Sequence, residues 1–299
     1  MKLLHPIIFL MKIKVEFALL CRLSSFILFV FFVNCKSNND SPESIVLDYN
    51  SNCSNCIWFE EFDGPTLNDN YWNYEEGYGN NGWGNDEWQK YVRSNTEIID
   101  GKLVITADTS NEKIGKRDGS ILSSRITTQG KIEYGPGMRV EAKIKAPWGQ
   151  GIWPAFWSIG SNFSQLGWPK CGEIDIMEFI GGNPISNIKN STNHSTLHWD
   201  ETGHHKSSSN SIKINQPLSS EYHIYELIWT NEYIESKLNG KRVHKVDIRP
   251  EKFNIPFRNS HFFILNIAVG GRWPGPPNNN TSFPQKMYVD YIRVYELND

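Results

Sequence analysis

Three carboxylates stand within six residues in the segment Glu173-Ile174-Asp175-Ile176-Met177-Glu178. Apolar residues separate them, as in a strand with one buried face. Side chains alternate faces along a strand, so Glu173 and Asp175 share one face while Ile174 and Ile176 point to the other. Strict alternation would send Glu178 to the face opposite Glu173. One extra residue, a β-bulge at Ile176-Met177, returns it to the face of Glu173, and bulges are frequent beside active sites. The two Glu backbones then lie about 13 Å apart, at ~3.3 Å per step. Side chains leaning inward bring the carboxyls to about 5 to 6 Å, the spacing of a retaining glycosidase pair. Asp175, between them, would hold the two Glu groups in different protonation states, as an acid and a nucleophile require. A solvated edge strand could also carry such charges, but like charges on one face repel. A Ca²⁺ or Mg²⁺ site suits three carboxylates, yet nothing nearby offers that face further obvious oxygen ligands.

Positioning these groups requires a sheet, and the sequence supplies many strands. Lys102–Ala107, Met138–Ile144, Tyr222–Trp229 and Met287–Tyr295 alternate apolar with polar residues between clusters of Gly, Pro, Asn and Asp. No segment shows a long helical period. The pattern predicts an all-β chain built as a two-sheet β-sandwich, a jelly roll of concanavalin-like kind. Residues 57–299 show no internal linker or repeat and read as one catalytic domain. Residues 35–56, rich in Ser and Asn, read as a tether.

Composition bounds the function. A net charge of -3 argues against nucleic acid as a partner. Aromatic residues reach 13%, including 11 Trp. That excess suits both a β-rich core and a carbohydrate site, where apolar sugar faces pack on flat rings. Residues 1–34 carry Lys2, Lys12, Lys14 and Arg22 ahead of the run Phe26–Val33, which is too short to span a bilayer and reads as an export signal. Met11 offers an alternative start. Cys35 follows at once, resembling a lipoprotein processing site, although Phe32 and Asn34 depart from the small residues usual there. A secreted or cell-surface protein, anchored through a lipid on Cys35, is expected. Cys53 and Cys56 have no second pair to complete a zinc site and suit a local disulfide. Cys171 reads as a buried thiol. His204-His205 sit in a polar stretch that reads as an exposed loop.

The segment from Glu173 to Glu178 resembles the signature of glycoside hydrolase family 16, in its laminarinase-like branch. The likeness runs over about residues 57–296. It includes Trp58–Gly64, Gly82-Trp83-Gly84-Asn85, Ser123–Ile126, Gly151–Trp157, Leu197-His198-Trp199, Leu265–Gly275 and Met287–Tyr295. Met177 marks the bulged branch; lichenase-like members have a shorter, unbulged motif. The resemblance implies a concave substrate cleft with Glu173 as nucleophile, Glu178 as acid/base and Asp175 assisting. It implies substrate contacts at Asn85, Arg125, Trp153, Trp157, His198, Trp199 and Trp273. No catalytic cofactor is implied. A structural Ca²⁺ is, at Glu61, Gly101 and Asp290. The expected substrate is β-1,3-glucan, with mixed-linkage glucan second, and the expected state is a monomer. Agar, carrageenan and xyloglucan are alternatives within the family. Sulfated galactans would call for a more basic cleft than this acidic chain offers. A non-catalytic glucan-binding protein on the same sandwich would have lost one or both Glu residues, and both are present.

Overall fold

Alternating burial decides most of the strands. Along His223–Trp229 every second side chain is buried, as expected for a strand with one face on a core. The computed structural model describes residue 53 and residues 55–109, 113–182, 189–279 and 281–297. The export signal, most of the tether and Cys35 lie outside these residues. The strands in the first half are β1 (Cys56–Glu60), β2 (Asn73–Glu75), β3 (Lys90–Tyr91), β4 (Thr96–Ile98), β5 (Leu103–Thr109), β6 (Ile121–Ser123), β7 (Arg125–Thr127), β8 (Met138–Lys145) and β9 (Ile152–Gly160). A single α-helical turn, α1 (Phe163–Leu166), precedes β10 (Glu173–Glu178), β11 (Thr192–Glu201) and β12 (His204–Lys213). The rest are β13 (His223–Trp229), β14 (Tyr233–Leu238), β15 (Lys241–Asp247), β16 (His261–Val269) and β17 (Gln285–Glu296). The four segments expected as strands from alternation are β5, β8, β13 and β17, to within two residues at every end.

Two sheets result. One has the order β15-β14-β13-β8-β17-β5-β6-β3, with β1 on β17 and β4 on β5. The other has the order β12-β11-β10-β9-β16-β7-β2. Pairing is antiparallel except between β3 and β6. This is the expected jelly-roll sandwich. β16 is buried at all nine positions, which explains its nearly unbroken apolar sequence. Between the sheets, Tyr134 stacks on Phe263 at 4.3 Å and meets Trp229 edge-on. Trp72 and Trp229 are among the largest fully buried side chains. Part of the aromatic excess is therefore core; another part lines the outer face of the seven-stranded sheet, and Tyr233, Tyr291 and Tyr295 pack against Lys and Arg side chains of the ten-stranded sheet.

Cys53 and Cys56 form the expected disulfide, with Cα atoms 5.5 Å apart. Cys171 is a free, fully buried thiol. It packs with Ile159, Phe262 and Ile264 in a small cluster against Trp157. The His204-His205 segment differs from expectation. It belongs to the ten-residue edge strand β12, not a loop. Ser, Lys and Asn occupy both faces of β12, so it has no apolar alternation to reveal it.

Candidate active site

The bulge is where the sequence puts it. Against β9, Asp175 pairs with Trp157 and Met177 with Phe156, so Ile176 is the additional residue. Against β11 the register likewise shifts between Asp175 and Glu178. Ile174, Ile176 and Met177 are all buried in the inter-sheet core. Glu178 then lies opposite Ala155, between Trp153 and Trp157 on β9, and returns to the face that holds Glu173 and Asp175.

Aromatic side chains flank the carboxylates at both ends. At the Glu178 end, Trp153 donates its indole Nε1–H to Glu178 Oε1 at 2.9 Å. Trp273 meets Trp153 edge-on at 5.4 Å and His194 at 5.2 Å. Gly271, at φ 109°, admits this arrangement. A Cβ there would lie 3.1 Å from the Asn85 carbonyl and 3.4 Å from the Trp153 ring. At the Glu173 end, His198 Nε2 lies 3.2 Å from Asp175 and 3.6 Å from Glu173. His198 Nδ1 is hydrogen-bonded to His205 Nε2 at 2.9 Å, and Trp168 covers His205 at 4.7 Å. Trp168 also favours the charged form of Glu173, while 47% of it stays exposed. On the neighbouring strands, Trp157 donates to Asn266 Oδ1 at 2.7 Å. Arg125 lies between the Trp83 and Trp157 rings, at 4.7 and 4.9 Å, and pairs with Glu75.

Burial dominates the electrostatics. It pushes Glu173 up to about 8, with repulsion from Asp175 adding and His198 opposing. Burial alone pushes Asp175 up to about 8, and its carboxylate is 4% exposed. Glu178 is pushed up to about 8 by burial and by Asp175, against the Trp153 hydrogen bond. Three carboxyls gathered in one low-dielectric place cannot all be ionised at neutral pH, so they share protons. His198 and Trp168 favour charge on Glu173. One carboxylate and one carboxylic acid side by side is the state that glycoside cleavage needs.

Of the residues expected at the site, Glu173, Asp175, Glu178, Trp153, Trp157, His198, Trp273, Asn85 and Arg125 come together. Trp199 does not. It is 6% exposed and packs in the inter-sheet core against Phe253 at 5.1 Å. Strand alternation is the reason: His198 takes the site face of β11, so its neighbour must face the core. The sequence reading did not find Trp168, His205, His194, Trp83 or Asn266. Trp168 stands in a Gly/Pro loop and His205 on the Ser-rich edge strand, where no local pattern announces a site. The Gly82-Trp83-Gly84-Asn85 motif did contain Trp83.

The expected calcium residues lie apart, at the ten-stranded sheet. Glu61 holds Arg293 through both oxygens, at 2.7 and 3.0 Å. Asp290 is 2.6 Å from Lys143 and 3.7 Å from Lys102. An Asp63 oxygen lies 3.6 Å from where a Cβ on Gly101 would sit. The Asp290 charge is already balanced by two ammonium groups, so a divalent ion there has to displace them.

A beta-glucanase of Rhodothermus marinus is 33% identical over 253 residues, covering 80% of this chain and 84% of that one. The glucan endo-1,3-beta-glucosidase A1 of Niallia circulans is 35% identical over 263 residues. The clotting factor G alpha subunit of Tachypleus tridentatus is 37% identical over 246. The chain spans only 38% and 34% of the length of these last two. The laminarinase catalytic domain of Thermotoga maritima superposes with a TM-score of 0.70 at 36% identity, covering 82% of this chain and 98% of that one. Residues 84–293, which include the bulged strand and both aromatic flanks except Trp83, match the Glycosyl hydrolases family 16, and to that family this chain belongs.

Proposed function

We propose that the protein is a retaining endo-β-1,3-glucanase acting on laminarin-like glucan, and more weakly on mixed-linkage β-glucan. The observation that carries this reading is the bulge that returns Glu178 to the face of Glu173. Without it the two carboxyls would stand on opposite faces of the sheet. The similarity to a laminarinase catalytic domain and to glucanases supports the substrate class.

In the first step Glu173 attacks the anomeric carbon while the bond to the leaving oxygen breaks. Glu178 gives its proton to that oxygen. In the second step Glu178 takes a proton from water, and the water oxygen displaces Glu173 from the same carbon. Two inversions leave the β configuration. Asp175 and His198 touch Glu173 from the side and govern its charge. Trp153 holds the Glu178 carboxyl by a hydrogen bond and presents a ring to sugar. No cofactor enters these steps.

The substrate reading is tested by the oligosaccharides released from a panel of polysaccharides. Laminarin should be cut fastest and mixed-linkage glucan next. Faster hydrolysis of agarose or carrageenan would overturn it. Absence of any hydrolysis with retained glucan binding would instead favour a binding protein.

Two peripheral readings accompany the catalytic one. The chain is exported and tethered at a membrane surface through lipid on Cys35, since two acyl chains make anchoring stable. Cys35→Ser should release it into the soluble fraction; unchanged fractionation would refute this. A structural calcium ion at Glu61, Gly101 and Asp290 rests on the family resemblance, and it must exchange for Lys143 and Lys102. Added calcium should then raise the melting temperature by mass action. A melting temperature indifferent to calcium and to chelator removes it.

A further inference from the structure

The site face holds one more buried carboxylate, and the proposed reaction does not use it. Glu87 is 4% exposed. It ends a loop in which Asn81, Trp83 and Asp86 all adopt left-handed φ, at 51°, 52° and 63°. Such backbone is costly for a Trp and persists only when its surroundings enforce it. Here Arg117 Nη1 donates to the Glu87 carbonyl at 3.2 Å and to Asp86 at 3.0 Å, and the Arg272 N–H donates to the Asn85 carbonyl at 2.9 Å.

The hydrogen bonds around Glu87 run in one direction. Trp157 Nε1–H donates to Asn266 Oδ1 at 2.7 Å, and Asn266 Nδ2 donates to the Tyr91 hydroxyl at 3.1 Å. That hydroxyl donates to Glu87 Oε2 at 3.2 Å, and Gln89 Nε2 donates to the same oxygen at 2.6 Å. Gln89 in turn accepts the Val269 N–H at 2.8 Å. Glu87 is the terminal acceptor, and each donor in the chain is oriented by the next. Arg125 packs over the Trp157 ring at 4.9 Å and is held by its ion pair with Glu75. A buried carboxylate is expensive, and a purely packed core would not require one. What this one supplies is a fixed orientation for the Asn266 amide, which holds the Trp157 indole.

We propose that Glu87 and Tyr91 are positioning residues for substrate binding. Through Asn266 they fix the plane of the Trp157 indole. That chain of donors holds the indole still, so that a sugar unit meets a preformed surface. Preorganisation of this kind strengthens binding without new contacts. The inference rests on reading Trp157 as a sugar contact, and the experiment separates the two claims.

Tyr91→Phe keeps the buried ring and deletes the link; Glu87→Gln keeps the shape and deletes the charge. KM and kcat on laminarin are measured for both, with melting temperatures. Each should raise KM, Tyr91→Phe by roughly three- to tenfold, with a smaller change in kcat. A lowered melting temperature with KM unchanged means a structural role only and overturns the proposal. Trp157→Phe, which also removes the end of the chain, completes a double-mutant cycle with Tyr91→Phe. The combined KM should be close to that of Trp157→Phe alone. Multiplicative effects would show that Tyr91 does not act through Trp157. If Trp157→Phe itself leaves KM unchanged, the sugar-contact reading fails first and the positioning proposal falls with it.

Discussion

Replacing Trp153 by Phe removes one indole N–H and leaves an aromatic ring beside Trp273. In the native protein that N–H donates to Glu178 Oε1 at 2.9 Å. The bond favours the ionised carboxyl, so it opposes the upward push from burial and from Asp175 that brings Glu178 to about 8. A hydrogen bond to a charged acceptor contributes about 1.5–3 kcal/mol. Some of it survives when the carboxyl is protonated, so only the difference counts. At about 1.4 kcal/mol per pKa unit, the loss amounts to roughly one unit upward. Glu178 would then keep its proton to higher pH. The assay is kcat/KM on soluble laminarin against pH, which reports the free enzyme. The basic limb, where the acid loses its proton, should move up by about one unit, while the plateau falls because the carboxyl is less well held. A basic limb that stays in place, or moves down, would refute Glu178 as the acid steadied by Trp153.

Other expectations follow from the same geometry. Trp199→Ala should lower stability by about 3–5 kcal/mol, as for a large core side chain, and leave the KM of the folded fraction unchanged; a raised KM at unchanged melting temperature would return Trp199 to the site. Asp175→Asn should reduce kcat less than Glu173→Ala or Glu178→Ala, because Asp175 touches neither bond that breaks; an equal loss would give it a direct part in the chemistry. The buried carboxyl cluster that includes Glu173 shares protons and is pushed up to about 8, against an ordinary 4.5 for a Glu, so the folded state holds protons that the unfolded chain has released. That contribution to stability is full below about pH 4.5 and is lost as pH rises through 8. Glu173→Gln should therefore gain stability over the native protein from pH 5 to 9 by denaturant titration, and a constant difference across that range would contradict the raised pKa.

Much of the catalytic strand is legible in the sequence because its information is local. The spacing of Glu173, Asp175 and Glu178 implies a bulge, and the bulge falls at Ile176-Met177. Trp199 shows the limit of reading a motif as a unit. His198 and Trp199 are adjacent, and alternation alone separates one to the site and the other to the core. Residues that meet only through topology were not legible. Tyr91 and Asn266 are 175 positions apart, and nothing near either one signals that β16 passes beside the loop before β3. Trp168 and His205 meet because a Gly/Pro loop folds back toward an edge strand with no apolar pattern. For Asp290, the side chain gave no sign that Lys102 and Lys143 would take its charge.

The account stands most directly on the pairing of Glu173 and Glu178 across the bulge. Proton NMR of the first reducing end released from laminarin, recorded before mutarotation, reads its outcome. Attack by Glu173 followed by attack of water gives the β-anomer first. An initial α-anomer would mean a single displacement and would contradict the paired-carboxylate mechanism.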